Sequence, residues 1–166
     1  PAEVNNDMEP PVLLENSSGQ ETIQWLAERI ARIERDVHQL PSIAVFVNGE
    51  AEVEPTANAL EPLLAEHNIP VMACREGQAV GQESTVRVFD IQHIKGLEFE
   101  AVFFLGVDRL AELQPELFDK YIYVGTTRAA TYLGLACEAK LPAQLAKLRH
   151  HFAADWKSGS RAMVAA

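Results

Sequence analysis

Cysteine is nearly absent from this chain: Cys74 and Cys137 are the only two in 166 residues. They make no CxxC pair and follow no secretory leader, which argues against a disulfide framework and fits a reducing cytosol, so a cytoplasmic protein with two structural thiols is expected. Long hydrophobic runs are lacking too. No window approaches the roughly 18 uncharged apolar residues of a membrane span, and no basic flank leads into an apolar segment at the N-terminus. No membrane partner is expected. Positive charge is scarce: 14 Lys and Arg against 24 Asp and Glu leave a formal charge of -10. Phosphate affinity comes mainly from concentrated Lys and Arg, so this balance argues against a free-standing nucleic-acid binder, and any such groove must be local or shared. The five histidines include the pair His150 and His151. No Cys/His/Asp cluster has metal-ligand spacing, so the pair reads as a solvated helix end and no metal site is expected.

What remains is a chain rich in apolar residues, 48% of the total, at a length that suits one α/β domain. Residues 1–10 have little periodicity and read as a lead-in. Residues 11–156 read as the domain, and residues 157–166, small and polar, as a flexible tail. The chain starts at Pro1 rather than Met, so it is expected to be an excised or processed piece.

Alternation of strand and helix patterns runs through the domain. Val12-Leu13-Leu14 reads as a short strand. Ser18 and Glu21 have capping-box spacing, and Ile23, Leu26, Ile30, Ile33, Val37 and Leu40 then recur at threes and fours, which predicts an amphipathic helix stopped by Pro41. The charged residues between them fall on the other face and read as solvated surface. Ile43 to Val47 is continuously apolar, as in a parallel strand covered on both faces. A helix over 55–67 is expected, kinked or shortened by Pro62, then a left-handed residue at Asn68 and a strand over 69–73. Residues 74–85 form a polar connection. Strands follow over 86–90 and 101–105, a helix over 115–129, a strand over 132–137 and a last helix over 142–152. This order predicts a doubly wound, mainly parallel sheet with helices on both faces.

Two segments carry chemistry: Asp90-Ile-Gln-His-Ile-Lys-Gly-Leu-Glu-Phe99, between two core strands, and Tyr121-Ile-Tyr-Val-Gly-Thr-Thr-Arg-Ala129. Gly96 permits a tight turn and close approach of a ligand, and Lys95 and Glu98 set opposite charges beside it. The loop leaves the carboxyl end of a strand, where open α/β sheets hold their ligands. Taken alone, Gly96 could equally form a plain turn with a Lys95–Glu98 surface pair, and Arg128 could complement a helix dipole.

Together, HIKGLEFEAVFFLGVD and YIYVGTTRA resemble motifs V and VI of the UvrD, Rep and PcrA helicases of superfamily one, in the same order and with similar spacing. The resemblance covers about residues 41–137 and implies a second RecA-like motor domain of the P-loop NTPase-like class, lacking the P-loop itself. It implies that Arg128 is an arginine finger reaching the γ-phosphate of ATP, with Mg2+, bound mainly by an N-terminal RecA-like domain of the same protein. A guanidinium suits this task because it stays charged and can bond phosphate oxygens in pairs. Glu98 then approaches the ribose or phosphates, Lys95 and Gly96 shape the loop, and Gly125 and Thr127 complete the ATP-binding set. Gln92 and His93 are implied to touch single-stranded DNA.

Three departures qualify the likeness. The family's TxHxxKG reads here as Asp90-Ile-Gln-His-Ile-Lys-Gly96, so Asp90 replaces a threonine and Gln92 a histidine; Asp90 would repel phosphate unless it makes a buried structural bond. The large accessory insertion before motif V is replaced by about twelve residues. No GxxxxGK[ST] occurs, so the chain by itself is expected not to hydrolyse ATP. The expected function is therefore the C-terminal motor domain of an ATP-dependent DNA helicase or translocase. The alternative is a degenerate helicase-fold module used for protein interaction or regulation.

Overall fold

The run Ile43–Val47 forms β2, an inner strand of the sheet, and all five of its residues are buried. Its unbroken apolar sequence follows from that position, because alternate side chains point to opposite faces and helices cover both. A computed structural model describes residues 10–82, 84–94, 98–123, 131–146 and 149–153. The other strands are β1 (Val12–Leu14), β3 (Val71–Ala73), β4 (Val86–Asp90), β5 (Ala101–Phe104) and β6 (Tyr132–Ala136). The order is β1-β6-β5-β2-β4-β3, and every pairing is parallel. Beyond β1, Ala153 makes a parallel bridge with Val12.

On one face lie α1 (Gln20–Val37) and α2 (Val53–Ala65), whose Leu26, Ile30, Leu60 and Leu64 pack with Val45, Val88 and Phe103 of the sheet. Trp25 meets Phe103 edge-on at 6.1 Å, beside Gly134 in β6. A Cβ at Gly134 would come within 2.6 Å of the Phe103 ring, so that close approach requires glycine. The other face carries α3 (Val107–Leu113), the turn α4 (Pro115–Leu117) widening into a π-type turn over Phe118–Tyr123, and α5 (Ala143–Ala146). Val107, Leu110, Phe118 and Leu145 pack there with Phe46, Phe89 and Phe104, the Phe46 ring stacking on both neighbours at 5.7 and 5.5 Å. The doubly wound α/β architecture expected from the sequence is thus the one observed.

Local differences have local causes. The residue flanking the first turn of α1 is Gly19, at φ 55, and no side chain caps the helix. Glu21 then falls one place short of the capping-box position, and Ser17 instead hydrogen-bonds Thr22 at 2.9 Å. The helix ends at Val37 with His38 left-handed, so Leu40 packs against the core after the helix has stopped. Pro62 lies inside α2 without ending it, and Asn68 is left-handed as expected. β3 is shorter than its apolar run. Helix α3, unmarked by a long periodic pattern, fills the stretch after β5. Of the helix expected over 115–129, the part beyond Tyr123 lies outside the described residues. The expected terminal helix over 142–152 is reduced, among the described residues, to α5 and a single turn at Arg149–His151.

Candidate functional site at the carboxyl edge of the sheet

After β2 the chain turns to α2 on one face, and after neighbouring β5 it turns to α3 on the other. Loops that diverge in this way open a crevice, the usual ligand position of an open α/β sheet. A cavity of about 430 Å³ lies there, lined by the first turn of α1, Glu52 and Thr56 at the start of α2, Gly106 and Arg109 at the start of α3, and Glu138 after β6. Arg109 holds these walls together. Its Nη2 donates to both oxygens of Glu52 at 2.8 Å. Its Nε stands 3.2 Å from Glu138 Oε2, close enough for an ion pair, but its N–H is not aligned for a hydrogen bond. Gly106 is left-handed and lies under Asn48, whose Nδ2 donates to the Gly106 carbonyl at 2.8 Å.

Carboxylates fasten the surrounding loops by accepting from backbone N–H groups. Asp108 takes Glu138 N and Ala139 N, both at 2.8 Å. Glu15, at the end of β1, takes Leu141 N at 2.6 Å and both terminal nitrogens of Arg149, at 2.6 and 2.9 Å. The bonded Arg149 guanidinium holds the Glu15 carboxyl down from 4.5 to about 2, against the opposing effect of burial. Burial pushes the Cys74 thiol up and the Cys137 thiol to about 12, so both cysteines are inert structural thiols.

On the far side of β2, the first loop of interest leaves β4. Asp90 is 3% exposed, and its Oδ1 accepts from Gly49 N at 3.2 Å and from Gln92 N at 3.3 Å. The second bond caps the short turn Ile91–His93, and the first ties that turn to the loop after β2. Asp90 therefore makes the buried structural bond that an aspartate was expected to need at this position. Its exposed neighbour Gln92 lies at the surface, and Glu98 is exposed as well. His93 is half-buried, with Nε2 3.6 Å from Glu50 Oε1. Glu50 Oε2 in turn accepts from Glu76 N at 2.9 Å.

Of the site residues read from the sequence, Gln92, His93 and Glu98 fall within the described residues, on the loop between β4 and β5. Lys95, Gly96, Gly125, Thr127 and Arg128 lie outside them. None of Gln92, His93 and Glu98 lines the cavity between β2 and β5. Sequence reasoning passed over Asn48, Glu50, Glu52 and Arg109. Each follows a strand's carboxyl end, and that shared position was the signal that could have found them.

The all-parallel sheet order, the helices on both faces and the crevice make this an α/β domain consistent with the RecA-like fold. Residues 85–136, from the start of β4 to the end of β6, match the family model of the UvrD-like helicase C-terminal domain. Among solved structures, the chain is similar to the C-terminal domain of a possible DNA helicase from Lactobacillus plantarum WCFS1. The two share 20% identity at a TM-score of 0.65, over 89% of this chain and 85% of that one. A comparison with curated proteins finds no match. The resemblance to UvrD-like C-terminal domains, read first from two motifs, is borne out by the family model over that segment, and the fold of nearly the whole chain agrees with it. No helix among the described residues is long and apolar enough to cross a membrane.

Proposed function

We propose that this chain is the C-terminal motor domain of an ATP-dependent DNA helicase or translocase. The observation that carries the reading is the segment 85–136: it matches the UvrD-like family model and contains both motifs, and its first loop leaves a strand's carboxyl end at the same edge of the sheet as the crevice. In this reading an N-terminal RecA-like domain of the same protein binds most of ATP and Mg2+. Arg128 completes the pocket by stabilising charge on the transferred phosphoryl group. Glu98 accepts from ribose hydroxyls, and Lys95, Gly96, Gly125 and Thr127 shape the surrounding loops. Gln92 and His93 face single-stranded DNA. Closing on ATP and reopening after hydrolysis would move the protein along the strand.

The test is DNA-stimulated ATP hydrolysis by the full-length protein carrying Arg128→Ala. Loss of an arginine finger lowers turnover by about a thousandfold or more, and near-normal turnover would defeat the assignment. A second reading, a helicase-fold module that binds or regulates other proteins, draws on the formal charge of -10 and on Asp90 standing in the motif V threonine's place. It requires that Arg128→Ala leave ATP turnover of the full-length protein unchanged.

A further inference from the structure

The fold brings two carboxylates unused by the function above, one of them distant in sequence, up to His93. Glu50 follows β2, Asp90 ends β4, and His93 sits one turn later. We propose that they form a binding site for a divalent transition-metal ion, separate from the Mg2+ that accompanies ATP. One ligand atom from each lies within 4.8 Å of the others. The 3.6 Å between His93 Nε2 and Glu50 Oε1 is too long for a hydrogen bond. It is close to the spacing of two ligands on one ion, because metal–nitrogen and metal–oxygen bonds of about 2.0–2.2 Å at tetrahedral angles set their ends about 3.4 Å apart.

Each ligand is held from behind. Asp90 Oδ1 is fixed by Gly49 N and Gln92 N, and Glu50 Oε2 by Glu76 N, which leaves one oxygen of each carboxylate for the ion. His93 lies against Gly77, where an added Cβ would come within 2.9–3.0 Å of its Cβ, Cγ and Nδ1. The glycine keeps one side of the imidazole packed and leaves Nε2 turned to Glu50. Such outer contacts are what orient metal ligands and tune their affinity.

Asp90 supplies an independent indication. It is a nearly fully buried carboxylate, and its second oxygen takes no hydrogen bond among the described residues. Nor does any described Lys or Arg pair with Asp90 or Glu50, although burial of a carboxylate ordinarily demands a compensating cation. An imidazole with two carboxylates favours zinc, cobalt, nickel or manganese over calcium or magnesium. Bound there, the ion would lock the loop after β2 to the loop after β4 and leave Gln92 as the exposed polar group of that turn.

The site is tested on this chain with Zn2+ and Co2+ alone, by calorimetric titration, by the visible absorption of bound Co2+ and by melting temperature. One-to-one binding with a rise in melting temperature is expected. Glu50→Gln, Asp90→Asn and His93→Ala should each weaken it at least about tenfold, while the double variant His150→Ala/His151→Ala should bind as before. Glu50 is exposed, so its variant reports on binding even if Asp90→Asn unfolds the loop. Absence of saturable binding, binding indifferent to Glu50→Gln and His93→Ala, or binding lost with His150 and His151 would each overturn the proposal. Its outcome is independent of Arg128→Ala, so either reading can fail alone.

Discussion

The two sides of β2 solve one problem in different ways. Toward β5, β6 and β1, loops at the carboxyl edge are joined by guanidinium–carboxylate contacts, Arg109 with Glu52 and Glu138, and Arg149 with Glu15. Toward β4, the loops meet through Asp90, Glu50 and His93, and Arg75, which follows β3, is paired with Glu54. The first side supplies its own positive charge and is partly solvated. The second rests on a buried carboxylate held by backbone N–H groups, an arrangement that is costly to break because it takes a charged acceptor from two backbone donors at once.

The contrast predicts a ranking. Asp90→Ala should have the largest effect, about 2–3 kcal/mol, because two backbone donors lose a charged acceptor; urea unfolding of this chain measures it, and a loss below about 0.5 kcal/mol would erase the difference between the two sides. Arg109→Ala should cost only about 1 kcal/mol, since its partners are substantially exposed, and the cost should shrink in high salt. Melting at low and high ionic strength checks this, and a salt-independent loss would show that the guanidinium acts by packing. The most pH-dependent effect belongs to Glu15→Gln. The folded carboxyl titrates near 2 rather than 4.5, so its contribution is complete above 4.5 and disappears as the pH falls toward 2. The melting temperatures of wild type and Glu15→Gln should therefore converge in acid; a constant gap would place the stabilisation elsewhere.

Much of the fold was legible in the sequence because it rests on periodicity. The unbroken run Ile43–Val47 announced a strand buried on both faces, and the three-and-four spacing from Ile23 to Ile33 announced α1. Short elements escaped: α3 has seven residues, too few for a helical pattern to stand out, and its anchors Val107 and Leu110 are buried by tertiary contact rather than by any local signal. The loop after β4 was legible as a motif, and so was the need for Asp90 to serve a buried bond. Its partners were not. Gly49 lies 41 residues away from Asp90, and only the parallel register that sets Val47 beside Asp90 brings the two loops together. The same holds for Glu50 and His93, whose meeting no ligand spacing along the chain could reveal.

The bridge between Val12 and Ala153 has its own consequence. Backbone hydrogen bonds from Leu13 N and Ala153 N close it at 3.1 and 2.8 Å, so the first and last of the described residues lie side by side at one point on the edge of the sheet. A few linking residues across that point would make a ring without disturbing the core, and fresh ends could then be opened in an exposed connection such as that between Gln78 and Gln82.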